Sequence, residues 1–109
     1  LPLHLETSGV DALSGRFDWL TLSPKAHRPP LPANLQCCDE LKVVVHEPAD
    51  LDFAERMAAA AERPQGPPAA LLLQPGWDSK EGQALAIEHV RRHPRWRLSL
   101  QSHKLLGVR

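Results

Sequence analysis

The run Leu41-Lys42-Val43-Val44-Val45-His46-Glu47, the helical stripe from Phe53 to Ala61, and the second run Ala70-Leu71-Leu72-Leu73-Gln74-Pro75 together decide the fold. Val43-Val44-Val45 is an unbroken β-branched run, which suits a strand packed on both faces. Asp50 is a good N-cap for the helix that follows. Phe53, Ala54, Met57, Ala58 and Ala61 recur at helical spacing and make one apolar stripe, so they read as core. Glu55, Arg56, Glu62 and Arg63 fall off that stripe. Pro64-Gln65-Gly66-Pro67-Pro68 ends the helix and leads into a strand over Ala70–Leu73. Strand, helix and strand in this order form a crossover unit, and its two strands lie parallel.

The same grammar extends in both directions. Downstream, Asp78 with Glu81 three residues later reads as a capping box. Ala84, Ile87 and Val90 make the buried stripe of a second long helix. Arg91, Arg92 and His93 place positive charge at its end, and Pro94 stops it. A last strand begins at Trp96. Leu98, Leu100 and Ser102 point one way along it, and Arg97, Ser99, Gln101 and His103 the other. Upstream, Leu1–Glu6 and Phe17–Leu22 read as strands, the second with Trp19 and Thr21 on one face and Leu20 and Leu22 on the other. Thr7-Ser8-Gly9 turns the chain, and Val10–Ser14 has room for one helical turn. Pro24 to Pro32 reads as loop, because Pro29-Pro30 and Pro32 exclude a helix interior and a central strand. The expected class is α/β, with five mostly parallel strands and two long helices in the order β-β-β-α-β-α-β. That is a piece of an α/β barrel or of an open sheet, and less than an eight-stranded barrel.

Size and composition narrow the function classes. A chain of 109 residues is one domain, and its 42% apolar content supports a modest core. Thirteen basic side chains balance thirteen acidic ones, so no basic field argues for nucleic acid. The apolar runs are too short to cross a membrane, and no secretory signal is visible. Cys37-Cys38 are adjacent, a poor disulfide geometry, and no second pair has metal-site spacing. A reducing compartment, the cytoplasm, is the expectation. The chain enters strand pattern at Leu1, so the expectation is that its beginning is missing.

The candidate chemistry sits where the apolar runs stop. Glu6-Thr7-Ser8, Ser23-Pro24-Lys25, His46-Glu47, Gln74-Pro75 and the Gln101/His103 pair each close a strand. Parallel α/β folds bind ligands at the carboxyl ends of their strands, although polar loops end strands in any fold. Gln101 and His103 share a face and offer donors and acceptors for a polar heterocycle. Lys25 suits a carboxylate or phosphate, or is a solvated loop lysine; Glu6 suits an ammonium group. Thr7 and Ser8 also serve as turn residues. His89 and His93 are four apart but have no carboxylate between them in sequence, so no metal site is expected there. Asp50 and Asp52 read as cap and first-turn charge. No phosphate-binding glycine loop and no nucleophile elbow is present.

Several blocks resemble one family. They are Glu6-Thr7-Ser8-Gly9, Phe17-Asp18-Trp19-Leu20-Thr21-Leu22-Ser23-Pro24-Lys25, Cys38-Asp39-Glu40-Leu41-Lys42-Val43-Val44, Leu72-Leu73-Gln74-Pro75, and His93 through Gly107. The last block is specific, and the resemblance covers essentially the whole chain. It is to the C-terminal half of 7-carboxy-7-deazaguanine synthase, a radical S-adenosylmethionine enzyme. The resemblance implies that residues 1–109 are the C-terminal part of a partial (β/α)6 barrel that acts as a homodimer. It implies a reaction in which a [4Fe-4S] cluster cleaves S-adenosylmethionine and the resulting radical takes hydrogen from 6-carboxy-5,6,7,8-tetrahydropterin. The ring contracts, ammonia leaves, Mg2+ assists, and the product feeds queuosine and other 7-deazapurines. By the same resemblance, Glu6, Thr7, Ser8, Ser23, Lys25 and Gln74 lie on the cofactor side. Gln101, His103 and the terminal Arg109 lie on the pterin side. The family's cluster-binding cysteine motif has no counterpart here, so the 109 residues alone are expected neither to hold iron nor to turn over. The competing reading is a non-catalytic α/β module that binds a small ligand or partner at its strand rim.

Overall fold

In β3, Glu40–Val45, buried and half-buried residues alternate strictly along the strand. Leu41, Val43 and Val45 are at most 1% exposed, while Lys42 and Val44 stay partly open. The expected packing on both faces is therefore corrected. The helices among the described residues cover one side of the sheet, so even a continuous β-branched run has one packed face. The structure, a computed structural model, describes residues 4–10, 19–63 and 66–99. The expected helical turn after Gly9 falls in residues 11–18 and lies outside the described residues, as do Gln101, His103 and Arg109.

The elements are β1 His4–Thr7, β2 Trp19–Leu22, α1 Pro32–Cys37, β3, α2 Pro48–Ala60, β4 Ala70–Pro75, α3 Lys80–Arg92 and β5 Trp96–Leu98. The five strands form one sheet in the order β1-β2-β3-β4-β5, every neighbour parallel. Sequence neighbours being sheet neighbours is the winding of a barrel rather than of a doubly wound sheet. Leu20, Leu22, Leu41, Val43, Val45, Leu73 and Trp96 line the helix-covered face and are all at most 4% exposed. Burying each such side chain contributes roughly 1.5–3 kcal/mol. Phe53, Ala54 and Ala58 meet them from α2 and Ala61 from its C-cap, as the stripe predicts.

Register partners in a parallel pair share a face. Glu6 stands level with Thr21, Thr21 with Glu40, Val44 with Gln74, and Leu72 with Arg97. These residues, with Trp19 and Lys42, therefore make up the second face, which no helix among the described residues covers.

Four local expectations are corrected. The segment after Pro30 is not all loop, because Pro32 opens α1 at a first-turn position, where proline's missing N–H costs nothing. The helix α2 starts at Pro48 with Glu47 as N-cap. Asp50 is the third helical residue, and its Oδ2 accepts from the backbone of His46 at 2.8 Å and Glu47 at 3.1 Å. In α3 the N-cap is Ser79, whose Oγ accepts from Gly82 N at 2.9 Å, while Asp78 takes φ 57° in the turn before it. The α3 stripe is also rotated from the expected one. Gly82 and Ala86 are buried, whereas Ala84 is exposed and Ile87 is 45% exposed. Close approach explains this: a Cβ on Gly82 would run into the Val45 carbonyl oxygen, so the helix seats its smallest residues against the sheet.

Candidate functional site

All five strands run the same way, so Thr7, Leu22, Val45, Pro75 and Leu98 end at one edge of the sheet. The segments expected to carry chemistry gather along this carboxyl rim. Glu6-Thr7-Ser8-Gly9 leaves β1 in a tight turn whose end is firmly anchored. Gly9 has φ 76°, and a Cβ there would come 2.5 Å from Leu22 Cδ1 and 2.8 Å from Pro30 Cβ. Glycine is thus required for both its backbone angle and its lack of bulk. Its N–H donates to Thr7 Oγ1 at 3.2 Å. Its carbonyl accepts from Leu31 N at 2.7 Å and from the buried Asn34 Nδ2 at 2.8 Å. The short helix α1 therefore serves the rim: it carries the amide that holds the turn after β1.

Ser23 is buried at 8% exposure, and its N–H donates to Thr7 O at 2.7 Å, which joins the first two strand ends. Lys25 opens a turn closed by Arg28 N on Lys25 O at 3.1 Å, and its side chain is exposed. Gln74 stands on the uncovered face, half-buried and level with Val44. Glu6 shares that face, but its carboxylate meets neither Lys25 nor Gln74. It pairs with Lys42 Nζ at 2.9 Å. Beside this pair Thr21 Oγ1 donates to Glu40 Oε1 at 2.9 Å. The structure thus brings Glu6, Thr7, Ser8, Ser23 and Gln74 to one rim, with Lys25 at its outer edge.

Sequence reasoning missed Lys42, Thr21 and Glu40 as members of this polar face. The signal was present: β3 alternation places Lys42 with Val44 and away from Leu41 and Val43. Reading the valine run as doubly buried hid it. It missed Glu55 as well, whose placement depends on three distant elements. Trp96 Nε1 donates to Glu55 Oε2 at 2.9 Å, His89 Nε2 lies 2.7 Å from the same oxygen, and Arg95 reaches Oε1. Burial raises the Glu55 titration, but the hydrogen bonds from His89 and Trp96 and the Arg95 guanidinium outweigh it, so the carboxyl titrates below its usual range. His93 stacks on His89 at 4.1 Å between ring centroids. Glu55, His89 and His93 hold ligand-type atoms within 4.8 Å of one another. Both oxygens of the carboxylate already accept from protein donors, and an arginine cation lies against it. The cluster accordingly works as a knot between α2, α3 and β5.

The opposite edge of the sheet is different in kind. A hollow of about 280 Å³ opens beside the starts of β4 and β5, lined by Ala58, Ala61, Ala70, Leu71, Arg95 and Arg97. It is remote from the rim, and none of the rim residues lines it. Cys37 ends α1 and Cys38 caps it just before β3, so they too lie toward this amino edge. Cys37 is exposed and Cys38 buried; burial pushes the Cys38 thiol up to about 11. Two adjacent sulfurs, one buried and protonated, do not fit an iron–sulfur cluster, which takes separated thiolates. No helix among the described residues is long and apolar enough to cross a membrane.

Known proteins resemble this chain in sequence and in fold. The chain is 50% identical over 120 residues to 7-carboxy-7-deazaguanine synthase of Prochlorococcus marinus, a match covering 99% of this chain and 53% of that protein. It is 44% identical over 109 residues to the synthase of Synechocystis sp., covering 100% and 50% respectively. The crystal structure of QueE from Escherichia coli aligns with a TM-score of 0.78 at 27% identity, over 90% of this chain and 44% of that one. The chain therefore spans about half the length of the curated relatives it matches. No family model matches it. The parallel sheet with its helices on one face is the expected part of a partial radical S-adenosylmethionine barrel.

Proposed function

We propose that this chain is the C-terminal half of a 7-carboxy-7-deazaguanine synthase, since it matches such synthases over essentially its whole length and over about half of theirs. The reaction is conversion of 6-carboxy-5,6,7,8-tetrahydropterin to 7-carboxy-7-deazaguanine with loss of ammonia, a step toward queuosine and related 7-deazapurines. What carries the reading is the coincidence of that kinship with a rim that gathers the chemistry-bearing residues of β1, β2 and β4 at one edge. On this reading a [4Fe-4S] cluster and S-adenosylmethionine supply the radical chemistry, with Mg2+ assisting, and the cluster's ligands come from outside these 109 residues.

The roles of this chain's own side chains belong to the same proposal. Glu6, Thr7 and Ser8 form the cofactor-side wall, held in shape by Gly9 and Asn34. Ser23 and Lys25 continue that wall, and a lysine at an exposed turn suits a ligand carboxylate. Gln74 offers an amide from the uncovered face. Gln101 and His103 are assigned to the pterin, whose heterocycle matches amide and imidazole groups, and Arg109 to the same side. A homodimer located in the cytoplasm completes the reading.

The test is turnover by the full-length protein, anaerobic, with its cluster reconstituted and a reductant supplied. Formation of 7-carboxy-7-deazaguanine from the carboxy-tetrahydropterin is expected, and His103→Ala should weaken pterin binding more than cofactor binding. A loaded, folded full-length protein that consumes no pterin would sink the proposal. A gene product that is the 109 residues alone would favour the ligand-binding module instead.

A further inference from the structure

The uncovered face carries a charge pair that the site residues named so far leave unexplained. Lys42 lies on β3 and Glu6 on β1, with β2 between them. Neighbouring strands are about 4.8 Å apart, so the two backbones are separated by roughly 9–10 Å. Their side chains nevertheless meet at 2.9 Å. The pair therefore spans β2 as a strap across the uncovered face. Register sharpens this. Glu6 is level with Thr21 and Glu40, while Lys42 stands one same-face position nearer the rim. Glu6 is thereby drawn toward the centre of the sheet and toward its carboxyl end.

The two partners differ in freedom. The Lys42 side chain is 18% exposed and that of Glu6 is 55% exposed. Lys42 emerges from the middle of β3, where it is paired with Leu72 of β4. Glu6 is the penultimate residue of a four-residue strand at the edge of the described sheet. A half-exposed glutamate there has several rotamers, and an ammonium fixed at one point selects among them. Glu40, the other carboxylate on this face, is already engaged by Thr21. The ammonium is thus directed to Glu6.

We propose that Lys42 is a positioning residue that acts through Glu6, holding its carboxylate over the uncovered face toward the rim. This rests on the reading that the rim is the synthase's cofactor and substrate site. The experiment uses the full-length, cluster-loaded enzyme as wild type, Lys42→Met, Lys42→Arg, Glu6→Gln and the double variant Glu6→Gln/Lys42→Met. If Lys42 acts through Glu6, Lys42→Met lowers kcat/KM about tenfold and Lys42→Arg recovers most of the loss. The double variant is then no worse than Glu6→Gln alone, because residues acting as a unit are non-additive. A purely structural role would instead give additive losses, no rescue by arginine and a lowered unfolding midpoint. Additive losses, or Lys42→Met indistinguishable from wild type, overturn the inference while wild-type turnover leaves the functional reading intact. A wild-type enzyme without turnover overturns both.

Discussion

Replacing Glu55 with alanine removes a group that ties α2 to both α3 and β5, and its cost follows from the donors it abandons. Trp96 is 1% exposed, and its indole N–H donates to Glu55 Oε2 at 2.9 Å. Leaving such a buried donor without an acceptor costs about 1–3 kcal/mol. The His89 nitrogen, 2.7 Å from the same oxygen, loses its partner too and adds about 1 kcal/mol. The Arg95 pair is half exposed, so it adds at most about 1 kcal/mol. These three contacts share one carboxylate and do not simply add, so Glu55→Ala should cost about 2–4 kcal/mol. Glu55→Gln keeps an acceptor oxygen but loses the charge, so about half of that cost is expected. The pH dependence has a definite sign. A folded-state titration below the unfolded one gives stability that is present above the unfolded pKa and lost as pH falls through the folded one. The gap between wild type and Glu55→Ala should be constant from neutral pH down to the ordinary carboxylate range and narrow below it. Urea denaturation at neutral and at stepped acid pH reads both quantities, with an unchanged m-value showing that the unfolded state is the same. A neutral-pH difference under about 0.5 kcal/mol, or one that persists unchanged into acid, refutes the reasoning.

Gly9→Ala should destabilise by about 2–4 kcal/mol, since φ 76° is disfavoured for alanine and the new methyl meets the buried Leu22; urea midpoints check it. Asn34→Ala removes the amide that holds Gly9 O, and a loss of about 1–3 kcal/mol is expected. Faster hydrogen exchange at the Leu31 N–H, which shares that carbonyl, would show that the effect is local to the rim turn. At mildly alkaline pH a thiol reagent should modify Cys37 quickly and Cys38 only on unfolding, because burial and a thiol pushed up to about 11 keep Cys38 protonated. Two fast equivalents in the folded protein would contradict the placement of Cys38.

Strand and helix existence was legible because each signal was local. The Phe53–Ala61 stripe, the apolar runs and the Pro64–Pro68 break need no tertiary knowledge. What was lost was lost to context. The helix α1 hid behind Pro32, since a proline reads as a breaker unless its position in the first turn is known. The α3 stripe was misread because Ile87 and Ala84 are more hydrophobic than Gly82, yet the sheet's close approach selects for size. The α2 start was misplaced because Asp50 is a strong cap residue that here completes the box from inside the helix while Glu47 caps. The rim residues Glu6, Thr7, Ser8, Ser23 and Gln74 were legible from one rule about parallel strands. Their partners Lys42 and Asn34 were not, because pairing across β2 or from α1 to Gly9 requires the register.

The uncovered face follows from the winding itself. Crossovers of one hand between consecutive parallel neighbours place every helix on the same side of the sheet. The other side must then close on itself, as a barrel does, or be covered by other chain. Here that side carries Trp19, Val44 and Leu72 together with Glu6, Thr21, Glu40, Lys42 and Gln74. Such a mixture is too polar for a dry core, and it leaves Trp19, a large apolar side chain, 38% exposed beside the buried Thr21. Apolar walls with a few placed polar groups are what ligand cavities are lined with. On the proposed reading this face is one wall of such a cavity, with Glu6 and Lys42 already paired across β2.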